Sequence, residues 1–85
     1  MQIELHRKFL KDYVKLPKKI QEKFKERRNL FIENSFHPLL ENHSVEPTYP
    51  NCRSINITGD YRALFEIKDK DTVVFVKIGT HSELY

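Results

Sequence analysis

The sequence predicts an α+β fold of order β-α-α-β-β-β, an antiparallel sheet covered on one face by a two-helix hairpin. Three observations predict it. Apolar residues recur at helical spacing over residues 7–33, with a proline between two such stretches. Three later segments, CRSINI, YRALFEI and TVVFVKI, alternate or run apolar as strands do. Short turn sequences, Thr58-Gly59-Asp60 and Lys68-Asp69-Lys70-Asp71, join them into an antiparallel meander.

Each element has its own signal. QIEL alternates and predicts a strand over Gln2 to Leu5. RKFLKDYVKL places Phe9, Leu10, Tyr13 and Leu16 at helical spacing. Pro17 lacks a backbone donor and disfavours helix at Leu16, so one helix ends there and Pro17 falls in the first turn of the next. That second helix is expected over residues 17–33. Ile20, Phe24, Arg27 and Phe31 form its buried stripe, Leu30 lies beside them, and Lys18, Lys19, Lys25 and Arg28 take the other face. Asn34-Ser35 stops it, and Pro38 ensures that it does not resume.

Residues 35–51, SFHPLLENHSVEPTYPN, contain three prolines and form a long irregular connection. Connections longer than about 12–15 residues are uncommon unless they carry function or short structure of their own. In CRSINI, Cys52, Ser54 and Asn56 share one face, and Arg53 and Ile55 with Ile57 the other. In YRALFEI, Tyr61, Ala63, Phe65 and Ile67 share a face, which turns Arg62 to the opposite side. TVVFVKI is nearly all apolar, the pattern of a central strand.

The bulk properties narrow the class. A chain of 85 residues makes one domain, expected over 1–85. It buries only about 60–65% of its unfolded surface, so its core is thin. The single cysteine, Cys52, excludes an internal disulfide and a zinc knuckle, and fits a reducing compartment. No run approaches the roughly 18 apolar residues of a membrane span, and the N-terminus has no signal-peptide core, so a cytoplasmic protein without membrane partners is expected. The formal charge is +3, and Lys and Arg outnumber acids heavily over residues 7–28. That bias suits a polyanion, RNA or DNA, or an acidic protein; a solvated helix face accounts for the charge equally well.

Several chemistries are excluded or disfavoured. With only Gly59 and Gly79, no phosphate-cradling loop can form. His6, His37, His43 and His81 lack the close pairings of a zinc site, so neither a metal nor a cofactor is expected. No Ser/His/Asp order argues for a triad. What remains is a group of polar residues that the meander brings near one another: Arg53 to Ile57, Gly59 to Arg62 and Gly79 to Tyr85, with His43 in the prolyl loop. Sharing one side, they offer two imidazoles, a carboxylate, two guanidiniums and a phenol. RNA cleavage uses that inventory. A base removes the 2′-hydroxyl proton, an acid protonates the leaving 5′-oxygen, cations offset the phosphorane charge and an aromatic ring holds a nucleobase. Imidazole suits either proton transfer.

RSINITGDYRALFEI, followed by VVFVKIGTHSELY, resembles the RelE/ParE toxin superfamily, nearest its YafQ-like mRNA interferase branch. LHRKFLKDYVKLPKKIQEKFKERRNLF and FHPLLENH are similar too, so the resemblance spans nearly the whole chain. It implies a RelE-like fold and the toxin of a type II toxin–antitoxin pair, a metal-independent endoribonuclease that cuts mRNA on the ribosome. It implies a cognate antitoxin that silences the toxin in a hetero-oligomer. By position, His81 matches the catalytic C-terminal histidine and Tyr85 the aromatic that contacts the substrate base. Asp60 matches the carboxylate of the turn, His43 the loop histidine, and Arg62 a phosphate-contacting arginine. In this reading His81 is the general acid and Asp60 or His43 the base. Arg53, Lys18 and Lys19 neutralise phosphates, and Asn56 contacts substrate.

The chain departs from the family pattern in two places. Asn56 occupies a position where some relatives carry another histidine, and an amide does not titrate. VEPTYPNCR replaces a stretch usually richer in Gly, Lys and Tyr. Simpler readings stand beside the functional ones. Asp is favoured at turns for its own backbone bonding, His81 can cap a strand end, and Cys52 is a small apolar filler rather than a nucleophile. Two rival functions also stand: a ParE-like toxin that inhibits a protein target such as gyrase, and a catalytically degenerate binding module.

Overall fold

The computed structural model describes residues 1–85 throughout. Its elements are β1 (Gln2–Leu5), α1 (Arg7–Tyr13), α2 (Lys18–Glu33), a 3-10 turn over Pro38–Leu40, β2 (His43–Ser44), β3 (Cys52–Asn56), β4 (Tyr61–Asp69), β5 (Thr72–Thr80) and α3 (His81–Leu84). The five strands form one open sheet in the order β1-β5-β4-β3-β2. The meander β3-β4-β5 is antiparallel as its turn sequences predict, but β1 joins it in parallel, with Gln2 opposite Thr72 and Leu5 opposite Phe75. The sheet is therefore mixed, not wholly antiparallel. β5 lies between β1 and β4, which explains its nearly continuous apolar sequence.

The helix boundaries follow local chemistry. The His6 side chain caps α1 by accepting from the Lys8 N–H at 3.0 Å. Pro17 is the N-cap of α2, one residue earlier than the first helical turn. The corner between the helices is pinned by reciprocal bonds. The Gln21 amide donates to the Tyr13 and Leu16 carbonyls at 3.0 and 3.2 Å, and the Tyr13 hydroxyl donates back to the Gln21 carbonyl at 2.9 Å. Two of the accepting carbonyls, those of Tyr13 and Leu16, lie at or just past the C-terminal end of α1, where carbonyls lack an intrahelical i+4 partner.

The helices cover one sheet face and enclose the main core. Phe75 is fully buried at its centre, with the rings of Phe9, Phe24, Phe31 and Phe65 at centroid distances of 5.9, 5.4, 5.8 and 5.5 Å. Ile55, Ile57, Ala63, Val73 and Ile78 complete this cluster from the sheet, and Leu40 joins it from the 3-10 turn. Tilted and edge-on ring pairs of this kind add to the stabilisation from burial alone.

The other sheet face is also partly covered. Val45, Cys52, Leu64 and Leu84 form a second, smaller cluster, flanked by Tyr49 and Val76. Residues 41–51 and α3 fold over this face and meet where the Tyr49 hydroxyl donates to the Leu84 carbonyl. The long connection thus has structure of its own, the 3-10 turn and the two-residue β2 paired with Ser54 and Arg53. Cys52 fills this cluster, and burial, then the Glu66 and Glu46 charges, pushes its thiol pKa up.

Two outcomes test this packing. Phe75→Ala should cost about 3–5 kcal/mol, a large share of the roughly 4–13 kcal/mol expected for a chain of this size, read as a lower urea midpoint. Cys52 should react slowly with a thiol-specific disulfide reagent at neutral pH in the folded protein and promptly in denaturant. Prompt reaction in the folded state would mean that the second cluster is not closed.

Candidate active site

The site begins where β5 ends. The strand runs on through Gly79 to Thr80, and the residues after it form a helical turn rather than a free tail. A capping box starts that turn. The Thr80 hydroxyl accepts from the Glu83 N–H at 3.2 Å, and the Glu83 carboxylate accepts from the Thr80 N–H at 2.8 Å. Those bonds hold the Glu83 carboxyl below its usual range. Gly79 makes room for the return: a Cβ there would lie 3.2 Å from the Glu83 carboxylate and 3.6 Å from the Leu84 side chain.

α3 then carries His81 and Tyr85 onto the sheet face away from the helices. The His81 N–H donates to the Asp60 carbonyl at 2.9 Å, tying the turn to the β3–β4 connection. Leu84 is buried in the small cluster, while His81 and Tyr85 stay exposed. Their rings lie 4.9 Å apart at 41°, and Tyr49 meets Tyr85 edge-on at 5.9 Å.

An open cleft of about 400 Å³ lies between α3, the strand ends and residues 41–48, and its walls include His43, Asn56, Arg62, His81 and Tyr85. Five of the residues singled out in the sequence thus share one cavity. Alternation explains part of this. Asn56 and Arg62 are register partners on β3 and β4, so both face the same side. Arg62 is aimed by the turn beside it: one guanidinium nitrogen donates to the carbonyls of Thr58, Gly59 and Tyr61 at 3.0, 3.2 and 3.1 Å.

Four other residues lie elsewhere. Asp60 is exposed on the β3–β4 turn and does not line the cleft; its backbone carbonyl, not its carboxylate, meets α3. Arg53 points to the other side of β3. Its Nε donates to the Asn42 side chain at 2.7 Å, and its guanidinium lies 5.5 Å from the centre of the Phe36 ring. Lys18 and Lys19 are exposed at the start of α2, in the helical layer.

The cleft holds acids that the sequence reading did not single out. Glu41 and Glu46 line it, and the Asn56 amide donates to the Glu41 carboxylate. The one signal for Glu41 was its place two residues before His43. Ser54 lies at the base of the cleft, fully buried beside Tyr85. Burial and then Tyr49 raise the Tyr85 pKa, against smaller opposing effects of Ser54 and Arg62, so its phenol stays protonated at neutral pH. Tyr85 therefore offers a ring face and a hydroxyl, not a phenolate. No group of three or more His, Cys, Asp and Glu side chains is arranged to hold a metal ion.

This geometry has known relatives. Residues 3–85 match the family model described as the ParE toxin of the type II toxin–antitoxin system parDE. The chain belongs to this toxin family. A crystal structure of YafQ from E. coli is 26% identical, covers 99% of this chain and 97% of its own, and superposes with a TM-score of 0.79. YafQ in the E. coli DinJ–YafQ complex is 27% identical over 99% and 97% of the two chains, with a TM-score of 0.76. The RelB–RelE antitoxin–toxin complex of Methanococcus jannaschii, at 23% identity, 96% and 94% coverage and a TM-score of 0.73, shares the fold. No curated protein matches the chain. Within the RelE/ParE superfamily, YafQ is among the toxins whose structures this chain resembles.

The capping box gives this toxin's tail a pH dependence. Folding lowers the Glu83 pKa, so the contribution of its bond to Thr80 is present above the unfolded carboxyl pKa and is lost as pH falls through the lower folded value. Amide exchange in residues 81–85 should therefore quicken in acid, after correction for intrinsic rates, before exchange in β4 does. Thr80→Ala should loosen the same amides at neutral pH. Equal protection in parent and variant would mean that the box does not hold the turn.

Proposed function

We propose that this toxin is a ribosome-dependent mRNA endonuclease that cuts by attack of the 2′-hydroxyl on the adjacent phosphate. The observation that carries this reading is the convergence of His43, Arg62, His81 and Tyr85 on one cleft. The resemblance of the sequence to YafQ-like mRNA interferases supports it.

In this mechanism His43 takes the proton of the 2′-hydroxyl as its oxygen bonds to phosphorus. The bond from phosphorus to the 5′-oxygen breaks, and His81 gives that oxygen a proton. The products are a 2′,3′-cyclic phosphate and a 5′-hydroxyl. Both imidazoles then exchange protons with water and reset. Arg62 offsets the charge that develops on the phosphorane oxygens, held in place by its three carbonyl contacts. Tyr85 stacks on the nucleobase, and its pairing with His81 fixes the acid relative to that base. Asp60 stays outside the chemistry and anchors the turn that carries His81. The ribosome supplies the RNA geometry, which suits a shallow and open site. Lys18 and Lys19 lie outside the cleft and fit contacts with ribosomal RNA.

The regulatory partner in this reading is an antitoxin, as in the DinJ–YafQ and RelB–RelE complexes of its relatives. Folding in the cytoplasm and silencing in a hetero-oligomer complete the proposal. A second reading is favoured by the matching family description itself, which names ParE: a toxin that acts by binding a protein target such as gyrase. Such a toxin has no need of both His81 and Tyr85.

One experiment separates the two. The protein is induced in bacteria and transcript 5′ ends are mapped by primer extension, on reporters with and without a start codon. The nuclease reading expects in-frame cuts that vanish without the start codon and fall at least about 100-fold in His81→Ala. Growth arrest with intact transcripts, unchanged by His81→Ala, would establish the protein-target toxin instead.

A further inference from the structure

Three of the four histidines are bonded through Nδ1, and they do not carry their protons alike. His6 and His37 cap helical turns by accepting at Nδ1 from the Lys8 and Leu39 N–H groups, at 3.0 and 3.1 Å. An accepting Nδ1 carries no hydrogen, so these neutral rings hold theirs on Nε2. The Nδ1 of His43 instead lies 2.7 Å from the Glu41 carbonyl. A carbonyl oxygen can only accept, so this Nδ1 bears the hydrogen and donates it. In the neutral ring, Nε2 is then left with a bare lone pair.

The carbonyl that sets this state belongs to an unusual residue. Glu41 has φ 46° and ψ 48°, the left-handed conformation, at the end of the 3-10 turn. A long side chain adopts it only where the surroundings insist. Here two contacts do. The Glu41 N–H donates to the Pro38 carbonyl at 3.2 Å, and the Asn56 amide donates to the Glu41 carboxylate. Asn56 is built into β3 opposite Arg62, so this second hold comes from the sheet.

We propose that Asn56 and Glu41 form a clamp that fixes the His43 proton on Nδ1 and keeps Nε2 free to act as the base in the cleft. Both are positioning residues; neither touches the reacting atoms. The use made of Nε2 rests on the ribonuclease reading, while the proton position does not. Asn56 then contributes without titrating: it holds the residue that orients the titrating ring.

The test is the nitrogen-15 NMR signature of the imidazole rings at a pH where they are neutral. It uses the His81→Ala protein, so that toxicity does not limit expression, with His6 and His37 as internal references for the opposite tautomer. His43 should show a protonated Nδ1 and a bare Nε2, the reverse of the two capping rings. Adding Asn56→Ala should shift His43 toward a mixture of tautomers and leave His6 and His37 unchanged. Glu41→Ala removes the same bond from its other end and should do likewise if Asn56→Ala fails to fold, whereas Glu41→Gln keeps an accepting oxygen and should preserve the parent signature. With His81 intact, Asn56→Ala should slow cleavage about 10–100-fold, part of the roughly 10²–10⁴ that a placed proton-transfer group contributes. A His43 hydrogen on Nε2 in the parent, or a ring unmoved by either clamp variant, would overturn the proposal. A clamp-dependent ring in a protein that cuts no RNA would support the clamp and remove the ribonuclease reading.

Discussion

Leu84 is the sole apolar side chain that α3 contributes, and it is buried with Val45, Cys52 and Leu64 on the sheet face away from the helices. That contact decides where the rest of the turn goes. With Leu84 seated, His81 and Tyr85 face the cleft, and Tyr49 can reach the Leu84 carbonyl. The capping box and Gly79 set the path of the chain, but burial of one leucine anchors it. Without it the turn would be four residues of marginal helix, far below the length at which helices persist alone.

The sheet therefore has two different faces. Against the helices it is dense and aromatic, centred on Phe75. On the other side a small apolar patch supports a polar hollow. β5 serves both: Val73, Phe75 and Ile78 belong to the main core, Val76 packs on the small cluster, and the strand's end delivers His81. In a chain with so thin a core, this division lets a stable layer hold exposed imidazoles and a buried Ser54 hydroxyl at a fixed place.

The helices and the meander were legible because their apolar periods are regular and Pro17 punctuates them. The parallel pairing of β1 was not, since no local pattern says which remote strand will receive a four-residue edge. The elements within residues 35–51 were hidden for the same reason: β2 is two residues long, too short to carry a period. In the site, His43, Asn56, Arg62, His81 and Tyr85 were legible as a set. Strand alternation puts Arg53 on the side of β3 opposite Asn56, with Ile55, and so away from the cleft. Asp60 lies on a turn, where side-chain direction has no periodic signal. Glu41 has no periodic signal, because its placement depends on a left-handed backbone and on Asn56, fifteen residues away.

The separation of α3 from the main core also bears on how such a gene decays. None of the eleven residues in the large cluster lies beyond Ile78. A nonsense or frameshift mutation just after β5 would remove His81 and Tyr85 yet spare every ring around Phe75. Its product would keep every residue of the large cluster and the helical layer over it, while losing Leu84 from the small cluster. On the reading that His81 and Tyr85 do the chemistry, one mutational step would thus remove it while leaving every residue of the helical side in the chain.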